Sequence, residues 1–235
     1  MINIGIKRYM YTKGDFHIHS TYSDGGLSPT EIVRLAKQKN VDIISITDHN
    51  NTDGIDEAIE EGKRNNIRVI PGVELSTRYN DCKVHILGYF KDDSYKNELL
   101  KEVLLKVKSK RIKDIRNLFN DKIDFCGFKN KICVQTGVNI LRFFGATVVL
   151  AHPVLLCTKD FNNIININFD GIEAKYFKNT EEETRYFINL ANEKGIIYTA
   201  GSDFHDYIEY YRIHGMIGDV YLNEEEIKKF LSILI

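Results

Sequence analysis

Six of the seven histidines of this 235-residue chain fall in short clusters with carboxylates, each at or near an apolar run of the kind that makes a strand. The clusters are His17-Ile18-His19 with Asp24, Asp48-His49, Gly72-Val73-Glu74, His85, Ala151-His152-Pro153 and Asp203-Phe204-His205. Imidazole nitrogen and carboxylate oxygen are the common ligands of borderline divalent cations, so the set predicts a multi-metal site. Any one of these histidines alone is more often a hydrogen-bonded core or surface residue; only the ensemble carries weight. His214 is left outside it, as a structural residue or part of a pocket rim.

His17 and His19 are two apart, which in a strand puts both side chains on one face. The other clusters sit at or just past the carboxyl ends of expected strands, where barrels place their active-site groups, with His85 inside its strand. Strands are expected near 15–19, 41–46, 68–75, 83–90, 147–151, 170–174, 196–200 and 218–222, with amphipathic helical patterns between most of them. Ser28-Pro29-Thr30-Glu31 reads as a capping box with proline in the first turn, and Thr180 with Glu183 and Asn223 with Glu226 repeat the spacing. Gly195 is placed to close the helix over 180–194. Runs such as Val41-Asp-Ile-Ile-Ser-Ile are nearly continuous, as parallel strands covered on both faces are, and a closed barrel fits best.

The irregular stretch is 93–146, where a long charged helix is expected, followed by a helix over 134–144 that Gly137 weakens. Lys101, Lys106, Lys108, Lys110, Arg111, Lys113 and Arg116 read first as a solvated helix face and second as a surface for phosphates. One domain over 1–235 is expected. Apolar residues make up 43% and Lys+Arg (32) nearly balances Asp+Glu (33), so no global charge advertises nucleic acid or membrane. Cys82, Cys126, Cys133 and Cys157 form no Cys-x-x-Cys pair and are expected as reduced, small apolar fillers. The opening Met1-Ile-Asn-Ile-Gly-Ile-Lys-Arg8 lacks a signal-peptide core, which predicts a cytoplasmic protein.

Together, His17-Ile-His19-Ser-Thr-Tyr-Ser-Asp24-Gly, Thr47-Asp-His49-Asn, Gly72-Val-Glu74, His85-Ile-Leu-Gly, Ala151-His152-Pro and Gly201-Ser-Asp203-Phe-His205 resemble the PHP (polymerase and histidinol phosphatase) superfamily of metal-dependent phosphoesterases. The resemblance runs over about 14–206 and fills all the ligand positions of the trinuclear members. It implies a distorted (β/α)7 TIM-like barrel and three divalent ions, Mn, Fe or Zn. One ion would be held by His17, His19, Glu74 and Asp203, a second by Glu74, His85 and His152, and a third by Asp24, His49 and His205. Glu74 would bridge the first two, with Glu74, Asp203 and His152 as the catalytic set. Three divalent ions against three carboxylates leave a cationic pocket for a phosphate, and a hydroxide shared by two ions is the expected nucleophile.

Ser23-Asp24-Gly resembles the group acting on nucleotides and oligonucleotides more than the histidinol-phosphate phosphatases. The helical insertion such members carry is shortened here, with 66 residues between His85 and His152. A phosphomonoester, a nucleotide in particular, is the expected substrate, with 5′-3′ exonuclease action on short phosphorylated oligonucleotides behind it. An amidohydrolase-like hydrolase and a non-catalytic binding module are the alternatives from other classes; no obligate protein partner is evident. Among Lys83, Arg78, Arg142 and Lys175 as phosphate contacts, Arg142 and Lys175 are preferred. Asp48 is read as orienting a ligand imidazole or holding its own turn. Tyr22 and Tyr176 read as packing residues with a second role in stacking on a base.

Overall fold

The structure is a computed structural model and describes residues 11–119, 122–128, 130–207 and 214–234. The opening segment read above for its lack of a signal-peptide core lies outside the described residues. The chain begins β1 (Lys13–Ile18), α1 (Pro29–Gln38), β2 (Ile43–Ile46), α2 (Ile55–Asn65), β3 (Arg68–Val69), β4 (Gly72–Tyr79) and β5 (Cys82–Tyr89). Then come α3 (Glu98–Lys108), α4 (Ile112–Leu118), a hairpin of β6 (Gly127–Phe128) and β7 (Lys131–Ile132), and α5 (Val134–Phe143). The last part holds β8 (Thr147–Leu150), α6 (Phe161–Ile165), β9 (Gly171–Tyr176), α7 (Glu181–Lys194), β10 (Ile197–Gly201), β11 (Leu222–Asn223) and α8 (Glu224–Ile233).

The helix starts follow their side-chain chemistry. Ser28, Thr180 and Asn223 each accept from the backbone three residues on, and Glu31, Glu183 and Glu226 reach back to the capping residue. Gly195 closes α7 at φ 64°.

The strands of this mixed α/β domain divide between two main sheets, ordered β11-β1-β2-β3 and β10-β9-β8-β5-β4. The sheets meet at both seams through single bridges, Ile18 with Phe204 and His49 with Glu74, and do not form one continuous ring. The expected parallel pairing holds within β1-β2-β3 and within β8-β9-β10, but β5 runs antiparallel to both β4 and β8. The reason is local: β4 and β5 are joined by the two-residue turn Asn80-Asp81, with Asn80 at φ 50°, and so short a link joins only antiparallel neighbours.

The 93–146 stretch does not hold one long helix. Lys110 at φ 59° ends α3, and α4 restarts so that Ile112 and Ile115 bury beside Leu100, Val103, Leu104 and Val107. The outward side chains of β4, β5 and β8, among them Leu75, Ile86 and Val148, share that core with Val138 and Leu141 of α5. Gly137 is tolerated in α5 because a Cβ there would come within 2.6 Å of Thr77 Cγ2, so its absence lets the helix settle on the sheet. A second core joins Leu87 and Tyr89 to Phe16, Val149, Ala200 and Phe230, and a third packs α1 and α2 on β1 and β2.

The cysteines are not separate fillers. All four are paired, Cys82 with Cys157 and Cys126 with Cys133, each at a Cα–Cα distance of 5.7 Å that suits a disulfide. Neither spacing forms a recognisable motif, because the partners come from different elements. No helix among the described residues is long and apolar enough to cross a membrane.

Candidate metal centre

The carboxyl ends of the strands bring the predicted cluster together. His17 lies in β1 and His19 just past it, and the His19 N–H donates to Phe204 O (2.8 Å) while the Asp203 N–H donates to His17 O (2.8 Å). These bonds lock the two ends of the chain side by side. His49 follows β2, and its bridge to Glu74 of β4 places an imidazole from one sheet against a carboxylate of the other. His85 stands in the middle of β5, while His152 and Asp203 follow β8 and β10 with φ of 27° and 52°. Two non-glycine residues in the left-handed region at one site mark backbone strain of roughly 1–3 kcal/mol each.

Glu74 is fully buried at the centre and its two oxygens face different histidines. Oε1 lies 2.7 Å from His85 Nδ1 and 3.1 Å from His152 Nε2. Oε2 lies 2.9 Å from His49 Nδ1, 3.2 Å from His19 Nε2 and 3.3 Å from His17 Nε2. Asp203 Oδ1 is 3.1 Å from His19 Nε2 and 3.3 Å from His17 Nε2. Asp24, half-exposed on its loop, reaches His205 at 3.5 Å and both His19 and His49 at 3.7 Å.

Three groups therefore offer ligand atoms within 4.8 Å of one another: His17, His19, Glu74 and Asp203; His49, Glu74 and His85; and His19, Asp24, His49 and His205. A fourth, Asp203, His205 and His214, was missed by sequence reasoning, which set His214 aside; its ring stacks on His205 at 3.8 Å. The donor set fits cations. Glu74 Oε2, His49 Nδ1, His19 Nδ1 and His85 Nε2 are buried without a hydrogen-bond partner, although imidazoles crowd the carboxylate. Buried polar atoms are rarely left without a partner, and orphaned imidazole nitrogens and a carboxylate oxygen are the donor atoms that a divalent ion takes up.

Electrostatics agree. Burial pushes the Glu74 carboxyl up, but His85, His17 and His49 outweigh it and hold it well below the ordinary range. Asp203 is likewise held low against its burial, chiefly by His17 and His19. Burial pushes His85 down to about 4, which leaves its imidazole neutral and able to ligate at neutral pH. Burial also opposes the charged form of His17, yet Glu173, Glu74 and Asp203 raise it well above the usual value.

Several residues outside the expected ligand set hold this arrangement, and Glu173, Asp15 and Gly201 among them were passed over by sequence reasoning. Glu173, fully buried in β9, faces His17 Nδ1 at 3.0 Å through Oε1 and accepts the His152 N–H at 2.7 Å through Oε2. Gly201 lies so close that a Cβ would run into both His17 and Glu173. Asp15 accepts from the N–H groups of Ser202 (3.0 Å) and Gly218 (2.9 Å), and burial raises its carboxyl to about 6. Of the two readings of Asp48 the structural one fits: it accepts from Ser20 N (2.7 Å), Ser20 Oγ (2.6 Å) and Ser23 Oγ (2.5 Å), which ties its turn to the loop carrying Asp24. Tyr176 donates to Asp203 Oδ2 at 2.9 Å, and burial followed by that carboxylate raises its phenol.

A cavity of about 320 Å³ opens over the cluster, lined by Lys83, Lys178, Tyr176 and Leu155 besides the ligand-type residues. Of the phosphate contacts expected, Lys83 is there, and Lys178 was not foreseen. The two preferred residues are elsewhere. Arg142 pairs with Asp170 at 2.7 Å in the last turn of α5, ahead of β8, at the end of the strands opposite the cluster. Lys175 pairs with Glu226 at 2.7 Å on the outside. Its misplacement has a cause: β9 and β10 shift register between Glu173 and Lys175, and such a bulge turns Tyr176 instead of Lys175 toward the cavity. Tyr22 packs half-buried against the start of α2, its hydroxyl 3.5 Å from Glu57.

Comparison with known proteins places these features. The family model for the PHP domain matches residues 15–233. A 5′-3′ exoribonuclease of Haemophilus influenzae is 38% identical over 122 residues, covering 52% of this chain and 43% of its own length. A 3′,5′-nucleoside bisphosphate phosphatase of Chromobacterium violaceum is 39% identical over 74 residues, 32% of this chain and 26% of its own length. The matches thus span less than half of either relative. A solved structure of an amidohydrolase from Chromobacterium violaceum, with bound sulfate and no metal, superposes with a TM-score of 0.74 at 21% identity, covering 94% of this chain and 96% of its own.

Proposed function

The chain belongs to the PHP domain family, and from that premise we propose that it is a metal-dependent phosphoesterase that removes a terminal phosphate from a nucleotide. The observation that carries this is the division of Glu74: one buried carboxylate offers each oxygen to a different set of imidazoles, as a bridge between two ions would. His17, His19, Glu74 and Asp203 would hold one ion, Glu74, His85 and His152 a second, and Asp24, His49 and His205 a third, with Mn, Fe and Zn all suited to the donors. When bound, such ions supply Lewis-acid activation of water and compensate the charge that develops on phosphoryl oxygens.

The chain's own groups then have defined tasks. Glu173 holds the proton on His17 Nδ1, so Nε2 presents its lone pair to the cluster. Tyr176 fixes Asp203 through Oδ2 and leaves Oδ1 facing His17 and His19. Lys83 and Lys178 line the cavity, where ammonium groups suit a phosphate, and Leu155 and Leu156 add an apolar side to its wall. The fold belongs to the same reading: we take the two sheets as arcs of a distorted (β/α)7 barrel, stitched where Ile18 meets Phe204 and His49 meets Glu74.

Amide hydrolysis has less support. The relatives at 38–39% identity are named for phosphoester substrates, whereas the amidohydrolase name comes with a 21% identity that speaks for the fold alone. Release of phosphate from mononucleotides and p-nitrophenyl phosphate by manganese-loaded protein tests the proposal, with amide and lactone substrates alongside. Glu74→Gln should abolish turnover and keep the fold. Turnover of amides alone, or a fully active Glu74→Gln protein, contradicts it.

A further inference from the structure

Beyond the cluster, β4 and β5 continue as a ribbon whose register is fixed: Glu74 opposite Leu87, Ser76 opposite His85, and Arg78 opposite Lys83. Residues directly opposite in an antiparallel pair share a face, and alternate residues return to it. The face that carries Glu74 and His85 into the cluster therefore presents Arg78 and Lys83 one rung further out, roughly 7 Å on at about 3.4 Å per residue. Lys83 lines the cavity itself.

The insertion extends this line. Arg78 bridges to Cys133, next to β7, which carries Lys131. The start of α4 packs on the same hairpin: a Cβ placed at Gly127 would lie 3.2 Å from Lys131 O and 3.3 Å from Ile112 Cγ2. That packing brings Lys110, in the turn between α3 and α4, beside Lys131. Burial, then Lys110, Arg78 and Lys83, lower the proton affinity of the Lys131 ammonium, so the four cations share one field.

Some other cations of this region are paired, Lys96 with Asp56, Lys101 with Asp53 and Lys106 with Glu102, whereas Lys108, Arg111, Lys113 and Arg116 stand at exposed positions of α3, α4 and the turn between them, away from the ribbon that leaves the cluster. Among the described residues, none of Lys83, Arg78, Lys131 and Lys110 forms an ion pair; Arg78 instead donates to the backbone carbonyl of Asp81 at 3.0 Å. Unpaired like charges held together repel and add nothing to the fold, whereas a run of phosphates laid along them would be bound.

We infer that Lys83, Arg78, Lys131 and Lys110 form a track for the backbone phosphates of a single-stranded nucleic acid whose terminal phosphate enters the cavity over Glu74. The inference rests on the phosphoesterase reading and deepens it from a mononucleotide to an oligonucleotide substrate. A cavity of about 320 Å³ is at the small end for ligand pockets and takes a chain end, which a flexible strand can thread and a duplex cannot. The track is defined by its charge, so binding is expected to be tolerant of sequence and sensitive to salt.

The test is binding of a 5′-phosphorylated, phosphorothioate-linked octathymidylate to the manganese-loaded full chain, followed by fluorescence anisotropy across a salt series. For a single strand each phosphate contact contributes about 0.7 to the slope of log affinity against log salt. Lys110→Gln with Lys131→Gln should lower the slope by about 1.4 and weaken binding several-fold at low salt. Lys110→Gln alone, at an exposed position, should lower it by about 0.7, and it keeps the test valid if the double variant unfolds. An unchanged slope and affinity in both variants overturns the track. Phosphate release from p-nitrophenyl phosphate is measured separately: a protein active there with unchanged slopes loses the track and keeps the phosphoesterase reading. One inactive on every phosphoester loses the reading, while the slopes still decide the track.

Discussion

Glu173→Gln isolates the part of the site that does not touch the proposed ions. Glu173 is fully buried and accepts twice, with Oε1 3.0 Å from His17 Nδ1 and Oε2 2.7 Å from the His152 N–H. Glutamine keeps the shape but offers one oxygen and one amide N–H₂, so in either orientation one existing donor meets another donor. With the oxygen on the fixed His152 N–H, the amide forces His17 to accept at Nδ1 and carry its proton on Nε2, the nitrogen that faces Glu74 and Asp203. Leaving a buried donor unpaired costs about 1–3 kcal/mol. Loss of such a support behind a ligand histidine typically weakens metal binding about 10–100-fold, or roughly 1.4–2.7 kcal/mol; the two estimates agree. A chelating dye in competition with ion-free protein measures the affinity, with circular dichroism reporting that the fold persists. A second readout follows from charge: without the Glu173 carboxylate His17 loses the largest of the groups that raise its pKa, so fewer protons are released on metal binding. Metal affinity within twofold of wild type and an unchanged proton count would refute the role assigned to Glu173.

Three other outcomes follow from the same geometry. Chelation should lower thermal stability, because an ion present at about 100 times its dissociation constant contributes roughly 2.7 kcal/mol, or about 5–11 °C per ion for a chain of this size; calorimetry with and without chelator measures it, and an unchanged midpoint denies that the cluster binds ions. Metal affinity should fall as pH drops through and below neutrality: His17 and His19 sit above their ordinary value in the ion-free protein and must give up protons to ligate, whereas His85, at about 4, stays neutral throughout. Titration at a series of pH values with the proton count per ion checks the sign, which is reversed or absent if these histidines are not ligands. Arg142→Ala should cost at most about 1 kcal/mol in a denaturant titration, since its pair with Asp170 is about one-third exposed, and should leave KM alone; a raised KM would return Arg142 to the substrate.

The sequence discloses ligand-type residues more readily than the groups that aim them. Histidines and acids at the ends of apolar runs are conspicuous because those residue types are expensive beside a core unless something uses them. The capping boxes at Ser28, Thr180 and Asn223 are equally legible, since both partners lie within one turn of chain. The antiparallel β5 was hidden because a strand covered on both faces is apolar throughout whichever way it runs; its signal was the turn Asn80-Asp81 between two apolar runs. Glu173 had a signal too, a lone acid inside the apolar strand Gly171-Ile-Glu-Ala, where a buried carboxylate demands partners.

The preference for Lys175 failed because one extra residue in the register of β9 puts Lys175 outside and Tyr176 inside, and no residue type announces that bulge. Charge pairing is hidden from the sequence for a related reason. A count along the insertion cannot distinguish Lys101 and Lys106, cancelled by Asp53 and Glu102, from Lys110 and Lys131, which gather with Arg78 and Lys83 only when a hairpin and a helix start pack together. Pairing is a property of the folded surface, and the proposed track rests on it. The same ribbon that carries Glu74 and His85 to the cluster carries Arg78 and Lys83 away from it, so the register that builds the candidate site also sets the direction of the proposed track.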